Sequence, residues 1–148
     1  MNIEAFKKAI REALLEVKKP RECEKLLESR VVTANPFWGH CAQATEAGYI
    51  LGQVLFGANF RFKAFKNRIS GHQSHYWLAN PEAGQEQDVC DFTDHESDPS
   101  FDYADRKLSV WINAKHTRDD IAKANVRKIY DIALKKLTSE LTSEPTQL

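Results

Sequence analysis

The chain has 148 residues, 42% of them hydrophobic and 28% charged, and its 21 Lys and Arg balance 21 Asp and Glu. That length fits one domain, 1–148, because either half alone would be short of a core. Balanced charge argues against a general nucleic-acid binder or a membrane-surface binder, and no apolar run approaches the roughly 20 residues of a membrane span.

The N-terminal MNIEAFKKAIREALL is amphipathic and lacks the continuous apolar core of a signal peptide. Ile3, Phe6, Ile10, Leu14 and Val17 make one helical stripe over 3–17, and Asn2 is placed to cap it. Pro20 punctuates the chain before a short helix expected over 21–29. A loop of turn formers and aromatics, Asn35-Pro36-Phe37-Trp38-Gly39, follows. Residues 41–56 predict a third helix whose small residues, Ala42, Ala44, Ala47, Gly48 and Gly52, let its backbone approach a neighbour, so it is placed centrally against a sheet. Gly57 is its expected C-cap.

The period then changes. Phe60 and Phe62 alternate with Arg61 and Lys63 as in a strand. Residues 74–79 form a second strand, 80–84 a turn, 87–92 a third strand antiparallel to the second, and 108–112 (LSVWI) a further strand. Thr117 with Asp120 resembles a capping box opening a last helix, about 117–141, before a polar tail at 142–148. Helices, then strands, then a helix imply an α+β domain with a mostly antiparallel sheet. Four basic and no acidic residues stand in 61–68, and nine acidic residues with no Lys or Arg in 82–105. Two readings follow: solvated faces that pair with each other, or an acidic rim for a basic partner or an amine.

Three cysteines at irregular spacing form no disulfide framework and point to a reducing, cytoplasmic setting. Cys23 and Cys90 read as small buried hydrophobes. Cys41 stands where a loop enters the central helix, and the free N–H groups and positive dipole end there favour a thiolate. His75, at the start of a strand, is the candidate base, and Asp91, on the next strand, the group that orients it.

The segments Asn35-Pro36-Phe37-Trp38-Gly39-His40-Cys41-Ala42, Ser74-His75-Tyr76-Trp77 and Asp91-Phe92-Thr93 together resemble the YunG-like proteins, small bacterial proteins of papain-like arrangement. His75-Tyr76-Trp77 is also similar to the His-X-Trp strand of transglutaminase-like proteins. The resemblance covers 35–93 and implies a papain-like core, a central helix on the sheet flanked by N- and C-terminal helices, with Cys41, His75 and Asp91 as the catalytic triad. His40 stands where the YunG-like pattern has glutamine.

Such a site needs oxyanion donors. The candidates are the Cys41 N–H, Asn35, which stands six residues before Cys41 as the oxyanion glutamine does in papain-like enzymes, His40 and Gln43. Trp38, Gly39, Ser74, Tyr76 and Trp77 are candidates for lining a cleft. The expected activity is a cysteine-dependent hydrolase or acyl transferase acting on an amide, isopeptide or thioester of a protein or peptide, with no cofactor. Its rival is an inactive papain-like module that engages a protein through 82–105. A zinc site drawn from His72, His75, Cys90 and His95, or from His40 and Cys41, has no recognised ligand spacing, and no metal is assigned.

Overall fold

Asn2 starts the first helix by accepting the N–H of Ala5 at 3.1 Å, and α1 runs Ile3–Leu15. Val17, the last residue of the apolar stripe, lies just beyond the Glu16 cap and is still buried. The computed structural model describes residues 2–17, 41–69, 73–82, 89–93, 103 and 106–143. The expected helix at 21–29, the loop at 35–39 and most of the acidic run lie outside the described residues.

Helix α2 is Cys41–Phe56, with the bounds its composition suggests, and it buries an unbroken run from Ala44 to Gly52. Its glycines allow two close approaches. Gly48 abuts the ring of Phe92 and Gly52 that of Phe60. Gly57 follows with φ +54°, the left-handed conformation that glycine adopts without strain.

The sheet has strands β1 (Lys63–Ile69), β2 (Gln73–Ala79), β3 (Val89–Cys90) and β4 (Lys107–Leu108) in the order β3-β2-β1-β4, with every pairing antiparallel. Side chains alternate between its faces. Ala64, Leu78 and Cys90 join the main core with α1, α2 and the last helix, while Phe65, Trp77 and Ala79 form a second cluster with Val89 and Tyr103 on the opposite face. The architecture is therefore α+β, with four α-helices and a small open antiparallel sheet among the described residues.

Three expectations need correction. Phe60 and Phe62 are buried but precede β1, because the chain first makes a 3-10 turn at Gly57–Asn59. The expected strand 108–112 contributes only Leu108 to β4. The Ser109 hydroxyl caps the N–H of Ile112, and α3 (Val110–Asn113) begins. The side chain of Asn113 then substitutes for a strand, accepting from the N–H of Ala64 at 3.1 Å and donating to its carbonyl at 2.9 Å. Asp120 does reach back to the N–H of Thr117 at 2.9 Å, but this cap closes a 3-10 turn, Arg118–Asp120, and the last helix, α4, is Ala124–Ser143. No described helix is long and apolar enough to cross a membrane.

Candidate active site

Cys41 is the first residue of α2, half-buried, so its N–H is among the four that no helical carbonyl accepts. His75 is buried in β2, and Asp91 is buried one residue past β3. The Leu78↔Cys90 register continued by one residue sets Asp91 opposite Trp77, on the sheet face that His75 shares.

These three residues meet. The Nε2–H of His75 donates to Oδ2 of Asp91 at 2.6 Å, and the other side of the imidazole hydrogen-bonds the Cys41 thiol. Nε2 is committed to the carboxylate, so Nδ1 faces the sulfur. Trp77 lies nearly parallel to the imidazole, centroids 5.7 Å apart, and fixes its plane.

Among the described residues, four donations reach Asp91. Its Oδ1 accepts from the N–H of Thr93 at 3.1 Å and the Thr93 hydroxyl at 3.3 Å, and its Oδ2 accepts from His75 and from the Tyr103 hydroxyl at 2.8 Å. Burial raises the Asp91 pKa, but His75, Tyr103 and Thr93 outweigh it and hold the group below the ordinary carboxylate value. Burial likewise opposes the charge on His75. The hydrogen bonds to Asp91 and Cys41, with the charges of both, prevail and push its pKa up to about 9. The imidazole is thus a cation at neutral pH, with the Asp91 carboxylate on one nitrogen and the Cys41 sulfur on the other.

No protein-family model, curated protein or solved structure matches the chain.

Of the other residues singled out in the sequence, Tyr76 is half-buried on the α2 face of β2, packed against the main core. Gln43 lies about 200° round the helix from Cys41 and is turned away from it. Its Oε1 is buried and meets no donor among the described residues. Asn35, Trp38, Gly39 and His40 lie outside the described residues, as do Cys23, His72 and His95. Ser74 is within β2, but its side chain is outside the described set. Arg61 and Glu82 approach to 3.7 Å, one pairing between the basic and acidic stretches, and both are exposed. Among the described residues, no three His, Cys, Asp or Glu side chains gather as a metal-holding group.

Two donors escaped the sequence reading. Thr93 carries a local signal, since an aspartate accepting the N–H two residues on is an Asx turn. Tyr103 has none, because only the tertiary fold brings it to Asp91.

Proposed function

We propose that the protein is a cysteine-dependent hydrolase or acyl transferase of papain-like type, with Cys41 as nucleophile, His75 as acid and base, and Asp91 as the group that orients His75. The observation that carries this reading is one buried imidazole bonded to a carboxylate on one side and to a helix-terminal thiol on the other. A structural histidine needs only one partner, whereas this arrangement stores a proton between a nucleophile and its base.

The chemistry follows from the proton. With the thiol proton on His75, the Cys41 sulfur adds to the carbonyl carbon of an amide, isopeptide or thioester, forming a C–S bond as the carbonyl electrons move onto oxygen. The N–H at the start of α2 is a donor for that oxyanion. When the tetrahedral adduct collapses, the bond to the leaving group breaks and His75 gives its proton to that group, leaving an acyl thioester on Cys41. His75 then takes a proton from water, or from an amine acceptor, which attacks the thioester and frees Cys41.

The test is alkylation of native protein by iodoacetamide, followed by mass spectrometry at each cysteine. Cys90 is the internal control, since burial pushes its thiol up to about 12. Cys41 is expected to react at neutral pH while Cys90 does not, and His75→Ala to slow Cys41 about tenfold or more. A Cys41 as inert as Cys90, or indifferent to His75→Ala, ends the reading.

A further inference from the structure

One oxygen of Asp91 serves two donors. Its Oδ2 accepts from the Nε2–H of His75 at 2.6 Å and from the Tyr103 hydroxyl at 2.8 Å, while both Thr93 donations go to Oδ1. The Tyr103 ring meets the same cluster from a second side. Its edge packs on Trp77, centroids 5.3 Å apart and planes at 79°, and Trp77 in turn lies along the His75 ring. Ring and hydroxyl are therefore separable. The ring supports Trp77, and the hydroxyl touches the oxygen that holds the imidazolium. A donor on an anion stabilises that anion and weakens its pull on the other protons it accepts. Tyr103 is one of the groups that hold Asp91 below the ordinary carboxylate value. By the same physics it limits how far Asp91 strengthens the hold of His75 on its proton. The surrounding groups act otherwise. Cys41 faces His75 from α2 and favours the imidazolium, β1 sets the neutral Asn67 opposite His75, and the Arg106 guanidinium lies over Phe65. Tyr76 feels the charge of Cys41 and Cys90 that of Asp91, but burial raises both, Cys90 to about 12, so both are neutral at physiological pH.

We propose that Tyr103 is a positioning residue that acts through Asp91, its hydroxyl restraining the carboxylate's hold on His75 so that the imidazolium can still give its proton to the leaving group. This rests on Cys41 being the nucleophile and adds a residue to that site. An imidazolium held too tightly sustains the thiolate but is a poor acid at neutral pH, and the acylation step needs both properties. Thr93 anchors Asp91 through the other oxygen, so losing the Tyr103 hydroxyl leaves the carboxylate in place and makes it a stronger acceptor for His75. The direction of that effect sets the proposal apart from a packing role. A residue that only supports the cluster loosens the His75–Asp91 bond when altered and lowers the proton affinity of His75. Removing the Tyr103 hydroxyl raises it.

The experiment is an NMR titration of the His75 ring with labelled histidine, in wild type, Tyr103→Phe and Asp91→Asn. Each is repeated with Cys41→Ala to separate the share of the thiolate, and Cys41 alkylation by iodoacetamide is followed over the same pH range. Wild-type His75 should titrate near 9. Tyr103→Phe keeps the ring on Trp77 and deletes the hydroxyl. It should raise the proton affinity of His75 about threefold to tenfold, with or without Cys41, the share of one charge-assisted hydrogen bond that passes to the other donor. The onset of Cys41 alkylation should move to lower pH. Asp91→Asn should do the opposite and take His75 back toward 6.5. Biosynthetic 3-fluorotyrosine, whose hydroxyl is the stronger donor, leaves the chain unaltered and should lower the His75 proton affinity; of the four tyrosines, Tyr103 is the one that donates to Asp91. A His75 titration that falls or stays put in Tyr103→Phe, or does not respond to fluorotyrosine, overturns the proposal and leaves the nucleophile standing. If wild-type Cys41 is inert to iodoacetamide, the nucleophile falls and the part of Tyr103 in its chemistry falls with it.

Discussion

At the scale of single residues, the His75–Asp91 pair makes its own pH prediction. His75 rises from an ordinary 6.5 to about 9 on folding, so the stability it contributes is fully present below pH 6.5 and is lost as pH climbs through about 9. Asp91 falls below its ordinary 3.8, so its contribution is present above that value and is lost as pH drops through the lower, folded one. The window in which both act runs from about pH 4 to 6.5. Asp91→Asn keeps the shape and removes the charge. Its stability deficit should be greatest in that window and shrink above pH 9. Denaturant unfolding at pH 5.5, 7.5 and 9.5, values chosen to bracket those pKa values, checks it. A deficit that does not change with pH would mean that Asp91 acts through packing and the Thr93 turn alone. Much of this cluster is legible in the sequence, because a thiol at a helix start and a histidine and an aspartate on successive strands are local patterns. The Tyr103 donor is not, since it arrives from a stretch whose residues give no periodic signal.

At the scale of elements, α2 decides how closely the sheet can approach. A Cβ at Gly48 would lie 2.5 Å from the Phe92 ring, and one at Gly52 would overlap the Phe60 ring outright. Alanine gains about 1 kcal/mol of helix propensity at either site, but forcing a ring aside in a packed core costs about 1–3 kcal/mol. Both Gly48→Ala and Gly52→Ala should therefore lower the melting temperature. They should differ at the site. Phe92 adjoins Asp91 in the chain, so Gly48→Ala should also slow Cys41 alkylation, whereas Gly52→Ala, acting on Phe60, should leave it unchanged. Equal effects on alkylation would show that the two contacts report only on global stability. The small-residue pattern made this helix and its central position readable from the sequence. The 108–112 segment departs from the expected strand for a physical reason: Val110, Trp111 and Ile112 are strand-formers by composition, but the cap from Ser109 and the double hydrogen bond of Asn113 to Ala64 turn the chain into a helix. Propensity was overruled by two side chains whose partners lie elsewhere in the fold.

At the scale of the whole molecule, α2 is the shared wall between the sheet and the α1–α4 layer, and one buried ion pair ties it to the chain leading into α4. Glu46 on α2 is buried, and its carboxylate lies 3.8 Å from the Lys115 ammonium. Lys115 is fixed in turn: its ammonium donates to the Asp120 carbonyl at 2.9 Å and sits 4.6 Å from the Trp111 ring centroid, while its carbonyl accepts from Gln53 at 3.1 Å. Burial raises the Glu46 pKa above 4.5, and Lys115 and Lys123 only partly offset it. A carboxyl whose pKa is raised on folding weakens the fold as pH climbs through its unfolded value, because the charged form must be buried. Lys115→Met keeps the aliphatic stem over Trp111 and deletes the charge. Its stability loss should thus be small near pH 4, with Glu46 protonated, and reach about 2–3 kcal/mol at neutral pH, where a carboxylate stands unpaired in the interior. Adding Glu46→Gln should remove that pH dependence and restore most of the stability, since no buried charge is left without its counterion. Thermal unfolding of the single and double variants at the two pH values decides the matter. Equal losses at both would show that Lys115 holds the two layers together by its stem and its backbone, with its charge incidental.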